Sequence, residues 1–415
     1  MSEEDFIRER KLPFWRVVVL ILSGWKKSLQ NRVNKFFEEL DKLEEIVTGS
    51  AFSQARKKVK WEIFKELNHK TVEYFYNNYD KEGLVRRWND HLLLAVDCSK
   101  LNLHDTKEAR EKYTIQTNQH DEKGVCQGLS SFLYDVLNEV TINSTIDKVK
   151  GEKLFIFEEH KNYYKDNAII LYDCGYAAYS VIAYHIKEGI NFIIRCPINN
   201  TFKDVEKFIK SKETDKIVKI KVTEKQRYIV EKLDLPFEVS IRVVKVLLDS
   251  GETEILLTGL INNKRYKTDD FKEVYNHRWG IETYFDRIKN QLDIERFSSG
   301  KINSLLQDFY GIVFLSTLES VLSKEEEQEC SNICQEKGRK YEYRLNKSVS
   351  YSAILDNVVD IFLDSKISET DVMDKLRKIF KTGLTPIRLE RKINRKRTSD
   401  CRKLRFHKYE KKIIT

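Results

Sequence analysis

The chain has 415 residues, enough for two or three domains, and 41% of them are hydrophobic, enough for a sizeable packed core. Four prolines and 15 glycines exclude long low-complexity linkers, and seven scattered cysteines, an odd number, fit a reducing, intracellular setting better than a disulfide-stapled domain. The net charge is +9; residues 388–412 carry twelve Lys/Arg against three Asp/Glu, so that one basic stretch accounts for the whole excess.

In chain order, 17-VVVLIL-22 is too short to span a bilayer and has no small-residue cleavage site, which predicts a buried helix or strand. Segment 28–47 places Val33, Phe36, Phe37, Leu40, Leu43 and Ile46 at helical spacing. Gly49 and Ser50 offer a break and a cap before a second helical region that reaches Tyr79, with Arg56, Lys57, Lys58 and Lys60 near its start. Helices with a basic end suit a DNA-reading unit, and equally an ordinary helical bundle.

The texture changes at 92-LLLAVDCSKLNL-103, where a continuous apolar run predicts a buried strand ending in Asp97. Strands follow around 128–138 and 139–146, then a helix over 151–164. The stretch 168–196 reads as a strand ending in Asp173, a helix over 177–187 and a strand over 191–196, a unit that implies a parallel pair. Alternating runs at 217–222, 238–248 and 254–260 predict antiparallel strands. After these come 275-YNHRWGIETYFDRIK-289, an apolar helix over 302–322, an acidic linker at 324–329 and a helical, then basic, C-terminal part.

Two buried strands thus end alike, in Asp97-Cys98 and Asp173-Cys174. The C-terminal edge of a parallel sheet is where ligands gather, although an Asp after a strand is also a common turn or helix cap. On one helix, Tyr275, Arg278, Glu282 and Lys289 would fall on a stripe about 60° wide, beside an apolar face of Val274, Ile281, Phe285, Ile288 and Leu292. That stripe suits the rim of a cleft; it also suits a solvated face with Arg278 and Glu282 as an i,i+4 ion pair. Three carboxylates brought together repel, and oxygen-only ligation of that kind favours Mg²⁺ or Mn²⁺. Cys98 and Cys174 have no His nearby in sequence and read as space-filling residues rather than nucleophiles. Cys330 and Cys334 lie one helical turn apart without a second ligand pair at zinc-finger spacing.

The pattern Tyr275-x2-Arg278-x3-Glu282-x6-Lys289 resembles the Tyr-Arg-Glu-Lys signature of one branch of bacterial insertion-sequence transposases, DDE enzymes with an RNase H-like catalytic domain. Asp97 in VDCSKLNL resembles the family's first acid and Asp173 in YDCGYAAYSVIAYHIKEGINFIIR its second; 52–68 and 304–322 resemble flanking blocks, so the likeness covers most of residues 50–325. The resemblance implies a mixed α/β, RNase H-like sheet with flanking helices. It divides the chain into an N-terminal helical, DNA-end-binding domain (1–88), a first catalytic part (89–199), a β-strand insertion (200–266), a second catalytic part with the signature helix (267–323) and a C-terminal helical and basic region (324–415).

It implies Asp97, Asp173 and Glu282 as catalytic acids holding two Mg²⁺ ions, with Mn²⁺ as a substitute. Tyr275, Arg278 and Lys289 would hold DNA phosphates, Trp279 would stack on a displaced base or pack in the core, and the basic stretch with Arg395, Lys396 and Arg397 would add DNA contacts. Its partners would be double-stranded DNA, at terminal inverted repeats and at the target, and a second copy in a synaptic dimer, in the bacterial cytoplasm on the nucleoid. The sequence departs from the family in having no Trp over 197–270, so a base-stacking aromatic there would have to be Phe202, Tyr228 or Tyr266. Other readings of the same residues are an RNase H-like nuclease without strand transfer, or a non-catalytic DNA-binding relative.

Overall fold

A computed structural model describes residues 6, 11–24, 28–118, 121–165, 167–199, 202–248, 251–336, 341, 343–363 and 368–386. The chain forms two compact units, one of Met1–Val85, Leu101–Gly128 and Arg287–Thr415, the other of Arg86–Lys100 and Leu129–Asp286.

The first unit is helical. Its centre is the helix Ile302–Leu322, mostly apolar and buried along most of its length. The stretch is long and apolar enough to cross a membrane, but it is wrapped by the protein's own helices. Trp61, just before the helix Glu62–Tyr79, stacks on Tyr310 at 4.9 Å. The apolar run at 17–22 forms the buried part of the helix Phe14–Leu22. The break at residue 49 is capped by Thr48, not by Ser50: the Thr48 hydroxyl accepts from the Ala51 amide and opens the helix Gly49–Lys58. The expected linker at 324–329 is instead the start of the helix Lys324–Glu336, whose first-turn Glu325, Glu326 and Glu327 suit the positive end of the helix dipole.

Arg56 stands among basic residues and is nonetheless buried. Its guanidinium meets Asp308 at 2.7 Å, Gln307 at 2.7 Å and the Ser304 carbonyl at 3.1 Å. It fastens the helix Gly49–Lys58 to the central helix, while Lys57, Lys58 and Lys60 remain exposed.

The second unit is built on a sheet. Its strands are β1 (Leu92–Asn102, as far as Lys100), β3 (Asp121–Asp135, from Leu129 on), β4 (Val140–Lys148), β5 (Ala168–Tyr172), β6 (Asn191–Cys196), β7 (Asp215–Lys221), β8 (Glu238–Leu247) and β9 (Thr253–Thr258). β2 (Thr114–Asn118) pairs antiparallel with the N-terminal half of β3, inside the first unit. The order in the second unit is β4-β3-β1-β5-β6-β9-β8-β7. β1 is parallel to β5 and β5 to β6, joined through the buried helix Tyr179–Lys187. Taken in chain order, β1, β3, β4, β5 and β6 stand in spatial order 3-2-1-4-5, the RNase H-like arrangement. Five successive buried residues, Leu92–Val96, reflect the central place of β1, covered on both faces.

The antiparallel strands expected at 217–260 are present, and they extend the same sheet. β9 pairs antiparallel with β6, and β8 and β7 continue outward. The wholly buried Arg242 holds Asp215 at 2.9 Å and the carbonyl of Tyr266 at 2.8 Å. Two helices that the sequence did not predict, Lys203–Lys210 and Glu224–Lys232, accompany these strands. The helix expected at 151–164 is present over 154–163 but irregularly wound, a π-helical stretch Ile156–His160 running into a 3₁₀ turn Lys161–Tyr163.

Candidate active site

Asp97 lies on β1, and Asp173 directly follows β5, the parallel neighbour of β1. The register runs Leu92↔Ala168 to Ala95↔Leu171; Asp97 lies two residues past that last pair on one chain segment and Asp173 two residues past it on the other. Asp97 does not end its strand, since β1 continues to Asn102, but it lies just past the last registered pair, where burial gives way to partial exposure. Its Oδ1 accepts from the Cys98 amide at 2.7 Å. Asp173 follows β5 directly and caps the turn Cys174–Tyr176 through the Gly175 amide at 2.8 Å. The cap and the acid are therefore one residue.

Burial, then the negative charge of Asp173, push the Asp97 carboxyl up to about 7; the Cys98 amide and Arg278 act against this only in part. Glu152, which the sequence reading passed over, is pushed up by burial and then by Asp173. Its only signal in the sequence is a Glu after Gly151 at the start of the helix expected over 151–164, which has no distinguishing pattern. An excess of negative charge held out of water fits a divalent cation with oxygen ligands.

The third acid stands apart from this pair. Among the described residues no group of three His, Cys, Asp or Glu is close enough to hold a metal ion. Glu282 Oε1 instead accepts from Arg278 Nη2 at 2.7 Å, the i,i+4 pair that the sequence also allowed. Arg278 is only 4% exposed, and its guanidinium lies over the Trp279 ring at 4.5 Å and near the Tyr275 ring at 5.8 Å. Burial works against its charge, yet Tyr275, Glu282 and Asp97 outweigh it and hold the guanidinium above its ordinary value. Its Nε is buried without a hydrogen-bond partner.

The signature does not lie on one helix. The chain turns at His277–Arg278, between the helices Asp270–Asn276 and Trp279–Asn290. Bonds from Arg278 N to Tyr275 O and from Gly280 N to His277 O tighten this turn to three-residue spacing. Gly280 allows the second helix to approach closely, because a Cβ there would lie 3.2 Å from Val136. Farther along, Tyr284 stacks on Tyr134 at 4.4 Å and accepts from the Thr141 hydroxyl at 3.0 Å, which fixes the helix over the sheet. The apolar face is buried as expected at Val274, Ile281, Phe285, Ile288 and Leu292.

Tyr275 is buried, and its hydroxyl donates to the carbonyl of Tyr172. Lys289 belongs to the first unit, where burial draws its ammonium down against the opposing pull of Glu295. Trp279 is 44% exposed, so it is not a core residue. Of the aromatic candidates at 200–266, Tyr266 is buried against His91, Phe202 packs near Tyr179, and Tyr228 is 76% exposed. Arg395, Lys396 and Arg397 lie outside the described residues. The Cys98 thiol, pushed up to about 12 by burial, accepts from the Tyr176 hydroxyl and is no nucleophile.

The sheet order and the two neighbouring acids at its centre make an RNase H-like fold with an acidic site. The family model "Transposase DDE domain" matches residues 88–318, and the chain belongs to that family. It is 24% identical over 326 residues to "Transposase InsG for insertion sequence element IS4" of Escherichia coli (strain K12), an alignment covering 75% of this chain and 70% of that protein. Among solved structures, it matches the piggyBac transposase synaptic complex with hairpin DNA at 11% identity and a TM-score of 0.44, covering 88% of this chain and 75% of that one. It also matches the Mos1 transposase paired-end complex with left transposon end at 13% identity and a TM-score of 0.17, covering 46% and 61%. The chain is thus a transposase of the DDE class, within a metal-dependent family that acts on DNA.

Proposed function

We propose that this transposase cuts DNA at the terminal inverted repeats of an insertion sequence and joins the freed 3′-OH to target DNA, with Asp97, Asp173 and Glu282 as its catalytic acids. The observation that carries the reading is the electrostatic coupling of Asp97, on β1, with Asp173, just past the end of the parallel neighbour β5: burial and the repulsion of Asp173 push Asp97 to about 7.

Asp97 and Asp173 would hold Mg²⁺, with Mn²⁺ as a substitute, and Glu282 would complete a site for two ions. Two such ions supply an activated attacking oxygen and a stabilised leaving oxygen. Arg278 would receive a DNA phosphate: its unpartnered Nε and the Nη2 now on Glu282 form one edge of the guanidinium fork. A phosphate on that edge would displace Glu282 and free its carboxylate to turn toward the aspartates. DNA binding and assembly of the acidic triad would then be one event. Trp279, exposed beside Arg278, offers a stacking face for a displaced base, and Lys289 a second charge for the backbone. The basic residues Arg395, Lys396 and Arg397 add counter-charge along the duplex. Two copies, one per transposon end, would act together on the nucleoid in the bacterial cytoplasm.

The test is a joining assay. A labelled, pre-cut inverted-repeat end with Mg²⁺ and target DNA should give joined product, and Asp97→Asn should remove it. Hydrolysis without joining would favour an RNase H-like nuclease; processing unchanged by Asp97→Asn would favour a non-catalytic role.

A further inference from the structure

We propose that Tyr275 serves the reaction by holding Asp173 in place through the Tyr172 backbone, rather than by touching DNA. The inference rests on the reading of Asp173 as a catalytic acid.

Tyr275 is 3% exposed, in the last turn of the helix Asp270–Asn276. Its hydroxyl donates to the Tyr172 carbonyl at 3.1 Å. That carbonyl belongs to the peptide group whose nitrogen is that of Asp173. The group is planar and stiff, so fixing its oxygen also fixes the direction in which the chain enters Asp173. On the other side, the Asp173 side chain is tied to the Gly175 amide at 2.8 Å. The acid is therefore held both before and after its own Cα.

Tyr172 is itself anchored at its far end. His185 Nδ1 lies 2.8 Å from the Val181 carbonyl, an acceptor only, so Nδ1 carries the proton. Nε2 is then the acceptor for the Tyr172 hydroxyl at 2.9 Å, and Tyr164 donates to that hydroxyl at 3.2 Å. Burial keeps His185 neutral, with its imidazole drawn down to about 4. Tyr172 cannot slide along its strand without breaking bonds at both ends. A Tyr275 hydroxyl engaged inside this assembly is not presented to a phosphate oxygen. Tyr275 is thus a positioning residue, acting on metal binding through Asp173 as an outer-shell partner does.

The experiment compares Tyr275→Phe with the wild-type chain in two measurements: binding of an inverted-repeat duplex without divalent metal, and the Mg²⁺ dependence of end cleavage. The expected result is unchanged DNA affinity, cleavage slowed about 10-fold or more, and a higher half-saturating Mg²⁺ concentration. Placing 4-aminophenylalanine at 275 keeps a donor at the same reach and should restore the Mg²⁺ midpoint, which separates positioning from loss of fold. Weakened DNA binding with an unchanged Mg²⁺ midpoint would overturn the proposal and return Tyr275 to the phosphate. No change in either measurement would also overturn it. Failure of the parent reading looks different: Asp173→Asn would then cut DNA as well as the wild type.

Discussion

Arg278 and Glu282, one helical turn apart, are joined by a 2.7 Å hydrogen bond that commits the third acid to a guanidinium. The same guanidinium acts electrostatically on Asp97. Arg278 thus stands in electrical contact with both parts of the acidic set and keeps an unpartnered Nε. On this basis Arg278→Gln should tighten Mn²⁺ binding by the DNA-free chain, because Glu282 is released, while DNA-end cleavage falls at least about 10-fold. Calorimetric Mn²⁺ titration and a cleavage time course read the two effects. Weaker Mn²⁺ binding in the variant would contradict the exchange.

The raised Asp97 carboxyl gives a pH dependence. A carboxyl at about 7 in the fold, against an ordinary value near 4, favours the protonated folded form. Its cost to the metal-free fold is absent below about pH 4, grows between 4 and 7, and is complete above 7. A divalent cation removes that cost. The rise in Tm on adding Mg²⁺ should therefore be larger at pH 8 than at pH 6, and Asp97→Asn should abolish the difference. An equal rise at both pH values would contradict it.

His185 titrates with the opposite charge type. Its imidazole is drawn down to about 4 by burial, so its contribution to stability is present above about pH 6.5 and is lost as pH falls toward 4. His185→Phe should flatten the acid limb of a Tm-against-pH curve. It should also cost on the order of 1–3 kcal/mol at pH 8, because the Tyr172 hydroxyl loses its acceptor. Denaturant unfolding at the two pH values measures both effects.

Arg56 looks like a DNA contact in sequence and is an ion-pair anchor in the fold. Arg56→Ala leaves Asp308 buried without its guanidinium and should cost about 3–5 kcal/mol in urea unfolding. Lys57→Ala, at an exposed position, should stay within about 0.5 kcal/mol of the wild type.

Much of this architecture was legible because its signals are local. Continuous apolar runs marked β1 and β5, and β6 was placed to the residue at Asn191–Cys196. The apolar face beside the signature is buried as its spacing required. What escaped depends on distant partners. Nothing near Arg56 in sequence announces Asp308, 252 residues away. Nothing in a Tyr-Arg-Glu-Lys spacing reveals that the chain turns at His277 or that Tyr275 faces a carbonyl 103 residues earlier. Helical periodicity assumes one continuous helix, and two short helices joined by a tight turn carry much the same apolar spacing. The juxtaposition of Asp97 with Asp173 was legible only as parallel strands with matching ends; the commitment of Glu282 to Arg278 was present as an i,i+4 spacing whose outcome packing decides.

If Asp97 is a ligand of the metal, a metal-switch assay reads that contact. Asp97→Cys replaces a hard carboxylate by a soft thiolate, which discriminates against Mg²⁺ and accepts Mn²⁺ or Cd²⁺. The variant should fail to cut a transposon end in Mg²⁺ and regain cutting in Mn²⁺ or Cd²⁺. Cutting in Mg²⁺ at the wild-type rate would contradict it.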